Sequence, residues 1–85
     1  MQTIWKFPLQ IGGVWEVEMP RHSEILSLAL QGGDLFFWAR VETHNGVVRR
    51  RFLVVGTGHE IPHYAEKFIG TVHLENGLVF HAFEL

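Results

Sequence analysis

The 85-residue sequence contains no cysteine. That excludes a disulfide framework, a thiolate nucleophile and a cysteine metal site, and it fits a reducing compartment. Long apolar runs are missing too. No stretch approaches the roughly 20 residues of a membrane-spanning helix. The opening MQTIWKFPLQ has one lysine and no apolar core, so it does not read as a secretory signal. Positive charge is not in excess. Seven Lys and Arg against nine Asp and Glu give a net charge of −2, which weighs against nucleic acid as a partner. Serine is scarce: Ser23 and Ser27 are the only two, and neither lies in a nucleophile elbow. These absences describe a single cytoplasmic domain spanning residues 1–85, with no membrane segment, metal or cofactor expected.

What the sequence has is apolar residues in alternation. In TIWKFPLQ, Thr3, Trp5, Phe7 and Leu9 share one face, and VWEVEM repeats the pattern with Trp15, Val17 and Met19. Period two is the signature of strands, and Pro8 and Pro20 mark edges or ends because proline cannot donate a ladder hydrogen bond. Gly12-Gly13 between the two runs suggests a hairpin. SEILSLALQ fits helical spacing as well as alternation. Its short span between Pro20 and Gly32-Gly33 favours a strand, since so short a helix is marginal alone. Asn45-Gly46 stands between two β-rich runs and suggests a type I′ hairpin. A two-residue turn there sets Glu42 against Arg49 and Arg40 against Arg51. One face then carries Phe37, Ala39, Val41, Val48, Phe52 and Val54, with Arg50 the exception at its rim. Asn76-Gly77 suggests another hairpin, with Leu74 facing Val79 and Val72 facing His81. HYAEKF after Pro62 has room for about one helical turn. The expected fold is mainly β: about seven strands in a small antiparallel barrel or sandwich, built from consecutive hairpins with at most one short helix.

Three motifs in order, TIWKFPL near the start, GTGHEI after a central strand and FIGTV…LVFHAFE at the end, resemble a family of short proteins of unknown function. Its members occur mostly in bacteriophage genomes and in phage-derived segments of bacterial genomes. The resemblance implies a phage or prophage origin and an accessory role in the host cytoplasm, and small phage accessory proteins as a group often inhibit or sequester components of host defence. It implies no activity and no catalytic residues.

Two groups of residues could bind a ligand. Gly56-Thr57-Gly58-His59 places glycines around a hydroxyl, so successive backbone N–H groups could converge on an anion. It lacks the lysine and long helix of a phosphate-binding P-loop, and a plain turn is the competing reading. Arg40, Arg49 and Arg51 would share the second face of the central hairpin with Trp38. Guanidinium suits phosphate and an indole suits stacking on a base. The competing reading is a solvated face with Glu42 pairing to Arg49. His59 and His63 are four apart, but Pro62 intervenes and no third metal ligand is evident.

The functional expectation is therefore a non-enzymatic protein. It would sequester a small anionic ligand, a nucleotide by preference, through Trp38, Arg40, Arg49, Arg51, Gly56, Thr57, Gly58 and His59. The hydrophobic content of 47% is high for so small a chain and points to a homo-oligomer. The alternative is an inhibitor of a host protein, using exposed Trp38, Leu53 and edge strands.

Overall fold

The computed structural model describes residues 1–85 as seven antiparallel strands with no helix. The strands are β1 (Gln2–Pro8), β2 (Val14–Pro20), β3 (Glu24–Gln31), β4 (Asp34–Glu42), β5 (Val47–Gly56), β6 (Lys67–His73) and β7 (Val79–Glu84). They form two sheets, one of three strands in the order β1-β4-β3 and one of four in the order β2-β5-β7-β6. The sheets stack as a sandwich. The alternation read from the sequence supplies its interior: Phe7, Val17, Met19, Phe37, Ala39, Val41, Phe52 and Val54 all point inward and are buried. Phe37 lies between Phe7 and Phe52, with ring centroids 5.2 and 4.9 Å away. Phe37 and Phe52 are fully buried, so truncating either to alanine should cost about 3–5 kcal/mol.

Residues 24–31 form a strand, as their short span suggests. The connectivity differs from a run of consecutive hairpins. β1 pairs with β4, and β2 with β5, so the first two strands lie in different sheets. Gly12 and Gly13, with φ of 103° and 65°, carry the chain across the sandwich. This lets Phe7 and Leu9 face Val17 and Met19 through the core.

Asn45-Gly46 is likewise a crossing between sheets. A type I′ turn needs positive φ at both central residues, and neither has it. The Asn45 amide side chain instead donates to the Arg21 carbonyl at 2.8 Å, and the Arg21 N–H donates to the Gly46 carbonyl. The corner is thereby tied to the β2–β3 turn. The two-residue turn with two positive φ values is Gly32-Gly33, which joins β3 to β4.

The β6–β7 hairpin forms as expected but one residue out of register. The Gly77 N–H donates to the Leu74 carbonyl and the Leu74 N–H to the Leu78 carbonyl, with Gly77 at φ 89°. That is a three-residue loop with a glycine bulge. The extra residue sets Thr71, rather than Val72, opposite His81. No helical turn follows Pro62, where a single β-turn closes from the Ala65 N–H to the Pro62 carbonyl.

Candidate functional site

Placing β4 and β5 in different sheets splits the expected basic face. Trp38 and Arg40 lie on the outer face of the three-stranded sheet. Arg49 and Arg51 lie on the outer face of the four-stranded sheet, on the far side of the core. Each arginine instead has an acid opposite it in its own sheet: Glu24 for Arg40, Glu18 for Arg49 and Glu16 for Arg51. The first two close to exposed ion pairs at 3.5 Å, and Arg51 makes none. Arg50 points inward, where it grips Glu84. Trp38 is half-buried beside Phe36, their rings 6.2 Å apart.

The outer face of the four-stranded sheet holds both Arg51 and the Gly56–His59 turn. Leu53 and Val55 pair laterally with Phe83 and His81, so they face away from the core. They are nonetheless only 9% and 7% exposed. The segment 57–66 between β5 and β6 runs along this face as a strap, with Thr57–His59, Ile61, Tyr64 and Glu66 beside outward-facing residues of the sheet. Two clefts open beside it. One, of about 230 Å³, is lined by Val55, Gly56–His59, Ile61, Phe68, His81 and Phe83. The other, of about 390 Å³, is lined by Val14, Arg51, Tyr64, Glu66 and Leu85.

Gly56–His59 forms a β-turn, closed by the His59 N–H donating to the Gly56 carbonyl at 3.1 Å, with Gly58 at φ 88° in the position where a type II turn requires glycine. The Thr57 N–H donates to the Val79 carbonyl. Two of the four amides of the supposed anion nest, those of Thr57 and His59, are thus engaged within the chain. The His59 ring lies close over Gly56. A Cβ there would stand 3.1 Å from its Nδ1, so glycine lets the imidazole fold back onto the turn.

Beneath the turn, His81 joins β7 to β6 and to the turn that follows β5. Its Nε2 lies 2.7 Å from the Thr57 hydroxyl and its Nδ1 lies 2.9 Å from the Thr71 hydroxyl. A neutral imidazole donates from one nitrogen and accepts at the other, so the two threonines must take opposite roles. Phe68 and Phe83 meet edge to face at 5.6 Å and give the cleft an aromatic wall. No carboxylate, lysine or arginine lines it. The cleft therefore complements an uncharged, flat group that makes a few hydrogen bonds.

Of the residues chosen from sequence, Gly56, Thr57, Gly58 and His59 come together in this cleft, and Arg51 lines its neighbour on the same face. Arg49 lies further along that face, and Trp38 and Arg40 are remote. Thr71, His81, Phe68, Phe83 and Ile61 were missed. Thr71 and His81 depend on the one-residue shift of the β6–β7 register, which no local pattern announces. No three His, Asp or Glu side chains converge to hold a metal ion.

Neither the curated proteins nor the solved structures include a match to the chain. A family model does match, that of a domain of unknown function (DUF7352), and it covers residues 1–85. The chain, with its two-sheet sandwich and strapped outer face, belongs to that DUF7352 family.

Proposed function

We propose that this domain captures a small anionic ligand, a nucleotide in the best-fitting case, on the outer face of its four-stranded sheet and does not transform it. The carrying observation is the pairing of two clefts across one strap. One offers a neutral wall of aromatic, hydroxyl and imidazole groups, and the other an arginine without an ion-pair partner. A flat ring is favoured in the first, where Phe68 and Phe83 supply stacking surface. At the second, Arg51 is the group for an anionic tail, since a guanidinium with free donors binds phosphate well, and it would have to outweigh the Glu66 carboxylate that shares the cleft. The motif resemblance suggests the setting: a phage accessory protein removing a nucleotide signal in the host cytoplasm.

The same reading includes self-association. The accessible surface of 5544 Å² exceeds the roughly 5200 Å² expected for a compact monomer of this mass. The molecule is also flattened, with extents of 40 × 30 × 16 Å. A homodimer or higher oligomer is expected, and sedimentation of a plain monomer at micromolar concentration would contradict it.

Calorimetric titration of linear and cyclic nucleotides tests the capture. Binding that weakens by about 1.5–3 kcal/mol in Arg51→Ala supports it. Phe68→Ala should lose about 1–3 kcal/mol of stacking. If no nucleotide binds, the reading fails. The exposed Ile4, Trp5 and Leu26 then favour a protein partner.

A further inference from the structure

Resting on that capture reading, we propose that the Thr57–His81–Thr71 chain reads the edge of the ring held in the cleft, and reads it with a polarity that can reverse. The site accepts planar heteroaromatic rings presenting either a donor or an acceptor toward Thr57, so it tolerates both amino- and keto-bearing purines.

The argument rests on hydrogen-bond accounting. In one tautomer His81 carries its proton on Nε2. The Thr57 oxygen accepts it at 2.7 Å and turns its own hydrogen outward, while the Thr71 hydroxyl donates to Nδ1 at 2.9 Å. Thr57 then offers a donor to the ring, or in its absence to the Val79 carbonyl at 3.4 Å. In the other tautomer the proton sits on Nδ1 and is accepted by Thr71. Thr57 donates inward to Nε2 and leaves only lone pairs for the ring. Both His81 nitrogens keep a partner in both states, and in the second the exposed Thr71 hydroxyl turns its hydrogen to solvent. The Val79 carbonyl loses only the long hydroxyl contact, because the Thr57 N–H still reaches it at 3.2 Å.

Two features make the exchange easy. Both partners of His81 are hydroxyls, which can donate or accept. A carboxylate at either nitrogen would lock one tautomer, and the cleft contains none. The rest of the lining is apolar or backbone apart from His59, whose ring is folded over Gly56. Thr57 is thus the exposed end of a chain that can present either polarity, whereas a site of fixed polarity rejects the mismatched edge by a factor of about 5 to 150.

The experiment compares adenosine and inosine 5′-monophosphates, which carry an amino and a keto group at the same ring position. Titrations run at about pH 8.5, two units above the ordinary imidazole range. The unmodified protein should bind the two within about threefold. Thr57→Val, which keeps the shape and removes the hydroxyl, should weaken both by similar factors. Thr71→Asp supplies an acceptor-only partner at Nδ1, fixes the proton there, and should favour the amino-bearing ring by about tenfold. Thermal melting checks that this variant is folded, and the unmodified protein and Thr57→Val decide the matter without it. Discrimination of about tenfold or more by the unmodified protein, or unchanged binding in Thr57→Val, overturns the proposal while leaving ligand capture standing. Failure of both nucleotides to bind the unmodified protein removes the capture reading and this one together.

Discussion

Arg50→Leu should be among the most damaging single substitutions outside the central core. Arg50 Nε and Nη2 donate to the two carboxylate oxygens of Glu84 at 2.6 and 2.7 Å, and Nη1 donates to the Ser23 carbonyl at 2.5 Å. The side chains are only 17% and 13% exposed. One guanidinium therefore joins β5, β7 and the turn where the chain passes from one sheet to the other. Removing one partner of a buried pair costs about 3–5 kcal/mol, because the remaining charge stays poorly solvated. The residual exposure favours the lower end, about 3 kcal/mol. For a domain of this size that corresponds to a fall in Tm of roughly 12–24 °C. The double variant Arg50→Leu/Glu84→Leu removes both charges, so most of the loss should return and the coupling should exceed about 2 kcal/mol. Urea unfolding followed by tryptophan fluorescence measures all four corners of the cycle. A single-variant loss below about 1 kcal/mol, or costs that simply add, would refute the view that desolvation of the stranded carboxylate dominates.

Three further outcomes are expected. Gly58→Val meets no atom within 4 Å but forces a β-branched residue to φ 88°, so stability should fall by about 1–2 kcal/mol in urea; ligand binding should fall by more, and an equal loss of both would mark the turn as structural only. His22 is the one residue other than glycine with positive φ, at 66°. His22→Gly should raise stability by about 0.5 kcal/mol, since relief of the left-handed strain outweighs glycine's entropy cost, and a lower urea midpoint would show that the imidazole has a role. The Glu42 carboxyl is held below its ordinary value by its hydrogen bond from the Met1 ammonium, which outweighs the opposing desolvation, with a further, lesser lowering from the His44 amide. Its stabilising contribution is complete above about pH 4.5 and is lost as pH falls through the lowered value. A carbon-detected NMR titration should find that value low, and acetylating the Met1 amine should raise it.

The sequence made the strands legible because burial of one face writes period two directly into the residues. It made the inner face of β4 and β5 legible for the same reason, including the inward-pointing Arg50. Pairing was harder to read. Asn-Gly is a turn signal that says nothing about whether the flanking strands stay in one sheet, and here Asn45 serves the Arg21 backbone instead. A better signal was present in the charges. Glu16 and Glu18 alternate on β2 as Arg49 and Arg51 do on β5, and the observed register sets them opposite one another. Matching those patterns would have paired β2 with β5 and moved Trp38 away from the arginines. The Gly56–His59 turn was visible through its glycines. Its partner His81 was not, because the β6–β7 register rests on a bulged loop whose length Asn-Gly alone does not fix.

The order in which the strands pair has a consequence for how the chain reaches this structure. β1 waits for β4, and β2 waits for β5, while β7, the last strand made, is an interior strand of its sheet. Gln2 finds its partner only at Glu42, and Phe52 meets Glu84 across most of the later chain. Such pairings pay loop-closure entropy before contact rewards it, so folding belongs on the millisecond-to-second scale of non-local β proteins. During synthesis at about 5–20 residues per second, the aromatic inner face of β1 has no partner until β4 emerges, when the β3–β4 hairpin can close and take it up. The four-stranded sheet cannot be completed until β7 has left the ribosome. For some seconds the nascent chain therefore exposes sticky, strand-forming segments, and that interval is where aggregation or chaperone capture would act on it.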